Sequence, residues 1–173
     1  MTYSFVESEN LAGLTIVAED RLDALTDILG EYTVVGKVQG SDLAGSHYHS
    51  PFAVEARHPV IPSNHVTAES GTGLVHCAPA HGAEDYHAFL ALDPTSFKSG
   101  LLCHVNDEGK FTDDIAEVVG NSAAEELVGQ DIMKAGSRSV TKLLEAAGAL
   151  VKVQRIRHRY PYDWKTGEPV ITL

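Results

Sequence analysis

Gly71-Thr72-Gly73-Leu74-Val75-His76-Cys77-Ala78-Pro79-Ala80-His81-Gly82-Ala83-Glu84-Asp85-Tyr86 is the stretch on which the fold turns. Two glycines open it, Leu74 to Ala78 reads as a core strand, and Pro79 ends that strand. From Gly82 to Leu92 the sequence suits a helix, with Glu84 and Asp85 in the first turn, where the helix dipole favours acids. Strand, tight turn and helix in direct succession make this an α/β unit. The same turn brings glycines, two histidines and two carboxylates together, so backbone N–H groups and side chains can converge there on a small ligand. Each residue also has a plain alternative: a packed or surface histidine, or an acid that merely starts a helix. A metal set of His76, His81, Asp85 and His87 matches no standard ligand spacing, and no metal is expected.

Upstream of this unit, Leu14 to Ala18 reads as a short buried strand. Asp20 is placed to cap a helix that carries Leu22, Leu25, Ile28 and Leu29 on one face and closes at Gly30. Tyr32 to Val35 and Lys37-Val38 are extended, Gly40 to Phe52 is a loop rich in Gly, Ser and His, and His58 to Pro62 is extended but barred by its prolines from a central ladder position. Downstream, Leu102 to Val105 and Phe111 flank Asn106-Asp107-Glu108-Gly109-Lys110, a hairpin turn with Gly109 at positive φ. Ser139 to Gly148 reads as a helix, and Leu150 to His158 alternates as a strand does.

The 173 residues suffice for one domain with its own core, and 43% hydrophobic with 21% charged residues is ordinary globular composition. Cys77 and Cys103 are the only cysteines, so neither a disulfide framework nor a structural zinc site is implied. A formal charge of −11 argues against a domain that grips duplex nucleic acid over a wide basic face. It leaves room for one end of an RNA. Arg155, Arg157, His158 and Arg159 form a basic cluster that could face a phosphate backbone or simply a solvated strand edge. No basic-then-apolar leader and no membrane-length apolar run is present. The chain has no Gly-x-Ser-x-Gly elbow, no His-Glu-x-x-His and no Gly-x-Gly-x-x-Gly, and Gly40 to His47 has phosphate-loop spacing without the lysine.

The Gly71–Tyr86 stretch closely resembles the editing-site signature of isoleucyl-tRNA synthetases, Gly-Thr-Gly-x-Val-His-x-Ala-Pro-Gly-His-Gly-x-x-Asp-Tyr, with Ala80 in place of the usual glycine. Ile16-Val17-Ala18-Glu19-Asp20, Gly40-Ser41-Asp42-Leu43-Ala44-Gly45, His58-Pro59-Val60-Ile61, Asn64-His65-Val66-Thr67, Val105 to Thr112 and Tyr160 to Ile171 resemble successive family segments in order and spacing. The resemblance implies one editing domain over residues 1–173, of the class I Ile/Val/Leu synthetase type, α/β with a largely β-barrel-like core and flanking helices. It implies hydrolysis of valine mischarged on tRNA(Ile), with Asp85 as the catalytic residue and His76, His81, Gly82, Thr72 and Gly73 contacting substrate. His76 would border the amino-acid pocket and oppose isoleucine, and Asp85 would pair with the α-ammonium group. Glu84 and Tyr86 carry no assigned role.

Editing by the family needs no cofactor; ATP and Mg²⁺ belong to the catalytic core of a full-length parent, whose His-Ile-Gly-His and Lys-Met-Ser-Lys-Ser motifs are not in this sequence. The implied partners are the acceptor end of tRNA(Ile) carrying valine and the rest of the synthetase, with no membrane and no DNA. The family's Thr-Thr-Thr-Pro-Trp-Thr segment, expected before Leu14, is also missing, so an N-terminally truncated domain is expected. That leaves a catalytically silent tRNA- or protein-binding remnant as the alternative, and the activity of the isolated chain open. The Ala80-His81-Gly82 variant and the Tyr160-Pro161-Tyr162-Asp163-Trp164 tail resemble organellar members, which points to the mitochondrial matrix ahead of the cytoplasm.

Overall fold

The structure is a computed structural model that describes residues 1–52, 56–92, 94–95, 101–154 and 160–172. Its first half is organised by a strand at the N-terminus. β1 (Thr2–Ser8) lies between β2 (Leu14–Ala18) and β3 (Tyr32–Gln39) in an antiparallel sheet of order β2-β1-β3. Opposed pairs share a face, so the register sorts the side chains. Ser4 opposite Val17 and Val6 opposite Thr15 look one way; Tyr3 opposite Ala18 and Phe5 opposite Ile16 look the other. Val35 is the extra residue of a bulge, since Phe5 pairs with Gly36 and Val6 with Val34.

On the first face Val6 and Val17 pack against Leu25 and Leu29, with Leu11, Leu22, Ile28 and Tyr32 around them. Burying each such side chain contributes roughly 1.5–3 kcal/mol, so this cluster is the main source of stability for the sheet. The helix expected here is broken. Glu19–Arg21 and Asp23–Leu25 are 3₁₀ turns and only α1 (Thr26–Leu29) is α-helical, before Gly30. Asp20 caps nothing; the N-cap position is Ala18, without a side-chain bond. Leu25 and Leu29 nevertheless reach the sheet, because four-residue spacing keeps them on one side of the winding.

The Gly40–Phe52 segment holds more order than a loop. It contains the turn α2 (Gly40–Leu43) and β4 (His47–His49), which pairs antiparallel with β5 (Arg57–Pro59). Residues 53–55 between these strands lie outside the described set, as does the basic cluster at 155–159. The two small sheets and the helices make a mixed α/β arrangement, and no closed barrel forms among the described residues.

A larger correction falls on Leu74–Ala78, which is in no strand. Gly73 sits at φ +79°, which turns the backbone away from a ladder, and Leu74 and Val75 are 41% and 63% exposed. The helix that follows is as read: α3 (Ala83–Leu92), with Tyr86 N–H donating to the Gly82 carbonyl at its start.

The second half has its own core of Ile115, Ala124 and Leu127, flanked by Phe111, Val118, Val119, Val140 and Leu143. Short helices α4 (Ala116–Val119) and α5 (Asn121–Ala124), a π-helical turn at Ile132–Gly136 and α6 (Ser137–Ala146) build it. The expected hairpin reduces to one bridge, Val105 to Phe111, closed by Asn106 N–H on the Lys110 carbonyl. Gly109 takes φ +72° there, and a Cβ would meet Ile171 Cδ1 at 2.6 Å. Leu150–Gln154 form no strand, and the remainder of that expected element lies outside the described residues.

Candidate functional site

The second face of the sheet opens on a cleft of about 710 Å³. Its floor is Tyr3 and Ile16, one wall is Tyr48 with Pro59 to Ser63, and the other is Gly73 to Cys77. The volume suits a small organic ligand, and the lining mixes apolar walls with a few polar groups.

The glycine loop forms that wall because it is held to the sheet from below. Ala18 N–H donates to the Thr72 carbonyl at 2.8 Å, Tyr3 OH donates to the Gly73 carbonyl at 2.8 Å, and Arg21 Nε and Nη1 hold the Gly71 and Glu69 carbonyls. A Cβ on Gly73 would lie 2.5 Å from Ala18 Cβ, so the approach requires glycine. Thr72 turns its hydroxyl to the Leu74 carbonyl, within the loop.

His76 follows on this wall, its Nδ1 3.0 Å from Tyr48 OH and its ring edge-on to Tyr48 at 6.4 Å. Tyr48 in turn stacks at 5.3 Å on His58, its sheet partner on β5. The His76 imidazole is thus oriented by the opposite wall. Burial raises the Tyr48 phenol above its ordinary range, with the neighbouring Cys77 adding to the effect.

Ala78 is the pivot from wall to helix. Its carbonyl accepts the N–H groups of His81 and Gly82, and its own N–H donates to Asp85 Oδ2 at 2.9 Å. Asp85 therefore closes the turn that it follows. Its other oxygen, Oδ1, is 3.0 Å from His65 Nε2, and Ser63 Oγ is 2.6 Å from His65 Nδ1. The Asp85 side chain is 18% exposed. Cys77 lies against it, with Sγ 3.8 Å from the Asp85 carbonyl; its thiol is raised by burial and further by the Asp85 charge. Ala80 fits without strain, because no described residue other than glycine has positive φ.

Of the residues singled out in the sequence, Gly73 and His76 line the cleft. Asp85 stands outside its lining and is joined to it through Cys77 and through His65 to Ser63. Gly82 packs beneath Asp85, with a built Cβ only 3.4 Å from Oδ2. His81 points elsewhere, its Nδ1 2.9 Å from the Thr172 carbonyl. Tyr48 and His65 were not singled out. The crowding of His47, Tyr48, His49 and His58 offered some signal for the first, and the second stood in the family-like segment Asn64-His65-Val66-Thr67 with nothing to tie it to Asp85. Among the described residues no three of His, Cys, Asp and Glu are grouped to hold a metal ion.

Fold and cleft define a mixed α/β domain with a ligand-sized recess between a glycine loop and a sheet. The sequence comparisons then specify the kind. The chain is 35% identical to the mitochondrial isoleucine–tRNA ligase of Gallus gallus over 170 residues, which is 98% of the chain and 16% of that protein. It is 36% identical to the isoleucine–tRNA ligase of Acaryochloris marina over 172 residues, and 37% to that of Thermosynechococcus vestitus over 175, covering 99% of the chain and 16% and 17% of those proteins. No protein-family model matches. The chain is similar to isoleucine–tRNA ligases along nearly its whole length and matches one segment of them. It spans about 16–17% of the length of these relatives, mitochondrial and bacterial alike.

Proposed function

We propose that the chain is the editing part of an isoleucine–tRNA ligase and hydrolyses the ester of valine mischarged on tRNA(Ile). The observation that carries this reading is the cleft whose wall runs from Gly73 to Cys77, within a chain akin to isoleucine–tRNA ligases along 98% of its length. A pocket that selects isoleucine rejects valine by only about 1–3 kcal/mol for the one missing methylene, a general figure established on this class of enzyme rather than derived from this structure. A second pocket must therefore accept valine and refuse isoleucine.

In this reading the valyl side chain enters the cleft against His76, whose ring, oriented by Tyr48, limits its depth. Asp85 receives the α-ammonium group and thereby orients the ester for attack by water. Each carboxylate oxygen offers about two acceptor directions, so the Ala78 N–H and His65 leave capacity for a cation. Thr72, Gly73, His81 and Gly82 shape the loop and turn around the ester. The acceptor end of the tRNA and the remainder of the ligase are the partners, the domain is of the class I editing type, and the compartment is the mitochondrial matrix or the cytoplasm. Editing itself uses no cofactor; ATP and Mg²⁺ serve isoleucine activation elsewhere in the parent.

The test is deacylation of Val-tRNA(Ile) by the chain and by Asp85→Ala. The variant is expected to lose about a hundredfold in rate, the scale on which single orienting or charge-stabilising groups act. Equal rates in the two proteins would sink the assignment.

A further inference from the structure

We propose that His65 is the positioning residue of the Asp85 carboxylate, linking it to the cleft wall. The inference rests on the reading of Asp85 as acceptor of a cationic amine and gives a role to a residue that this reading leaves without one.

The geometry is a chain of three side chains. Ser63, on the cleft wall, meets His65 Nδ1 at 2.6 Å, and His65 Nε2 meets Asp85 Oδ1 at 3.0 Å. A carboxylate only accepts, so Nε2 carries the proton, and in the neutral ring Nδ1 then accepts from the Ser63 hydroxyl. The serine thus fixes the tautomer that the aspartate requires. The Ala78 N–H on Oδ2 holds one oxygen but leaves the carboxylate free to rotate about its own bond; the second contact at Oδ1 fixes its plane. An amine that approaches the remaining lone pairs meets an acceptor already oriented, so the ordering cost of binding falls.

Neighbouring groups agree with this division of roles. Cys77 faces Asp85 from the wall segment, with its thiol raised by burial and by the Asp85 charge, so it remains a neutral neighbour. His76 and His81 are engaged by Tyr48 and by the Thr172 carbonyl. Among the described residues, the imidazole that meets Asp85 is that of His65.

The experiment uses the full chain and a non-hydrolysable mimic of the charged acceptor end, 3′-deoxy-3′-(L-valylamino)adenosine, titrated by calorimetry. His65→Ala is expected to weaken binding about tenfold, the effect of one lost charge-assisted contact. His65→Gln, which can present a neutral N–H to Oδ1, is expected to restore affinity to within about threefold of wild type. Imidazole NMR of the unliganded chain should show His65 as the Nε2–H tautomer, and Ser63→Ala should mix the tautomers without unfolding the domain. Equal affinity in wild type and His65→Ala overturns the proposal, as does no rescue by a folded His65→Gln or no binding by wild type. Binding with the expected variant pattern but without Val-tRNA(Ile) deacylation would defeat the hydrolytic reading and leave the role of His65 standing.

Discussion

The hydroxyl of Tyr48 is the smallest change that separates the orientation of His76 from its presence. Tyr48→Phe removes the 3.0 Å contact to His76 Nδ1 while leaving a ring to stack on His58. A hydrogen bond of this kind contributes about 1 kcal/mol, so on the editing reading the ratio of valyl to isoleucyl ester hydrolysis should drop about fivefold, with a fall in Tm of no more than about 2–4 °C. Cys77 supplies a pH test. Its thiol is raised by burial and then by the Asp85 charge, so the thiolate forms only above the ordinary thiol range. Its alkylation by iodoacetamide should therefore be slow at pH 8 and accelerate at higher pH, and Asp85→Asn should move that rise to lower pH. At this scale a glycine-flanked turn into a helix start has a local signature, and the structure places Gly73 and His76 on the cleft wall and Asp85 at the turn behind it. The sequence hid the tie between His65 and Asp85, which lie 20 positions apart with no periodicity to connect them.

At the scale of elements, the docked glycine loop makes the sharpest prediction. Gly73→Ala must place a methyl 2.5 Å from Ala18 Cβ in a backbone at φ +79°. Crowding and the left-handed backbone together should cost about 2 kcal/mol or more, a fall in Tm of at least about 4 °C, measurable by calorimetry. The helix α3 and the turns at Gly30 and Gly109 were legible because each carries its own stop or start chemistry. The central strand β1 was not. Polar Ser4 and apolar Val6 share one face while Tyr3, Phe5 and Glu7 share the other, so both faces are mixed and no clean alternation shows. Leu74–Ala78 erred the opposite way: an apolar run looked like a core strand because the wall of an apolar cleft selects the same residues.

Across the whole molecule the described residues form two separate apolar clusters, one around Leu29 and one around Leu127, each of these leucines 1% exposed. Truncating either to alanine should cost about 2–5 kcal/mol in urea unfolding. The double variant should sum the two within about 0.5 kcal/mol, since no residue is shared between the clusters. Leu29→Ala should also weaken ligand binding in the cleft, whose floor is the far side of its sheet; Leu127→Ala should not. One arrangement also bears on how such a recess could change its preferences. The loop that walls it is moored by the carbonyls of residues 71 to 73, gripped by Arg21, Ala18 and Tyr3. Because the grip is on main chain, the side chains of Leu74 and Val75 carry none of the mooring and line the cleft while still partly open to solvent. A library randomised at those two positions should retain the fold in most members while its ligand selectivity spreads, so this protein can be retuned at the rim without renegotiating its scaffold.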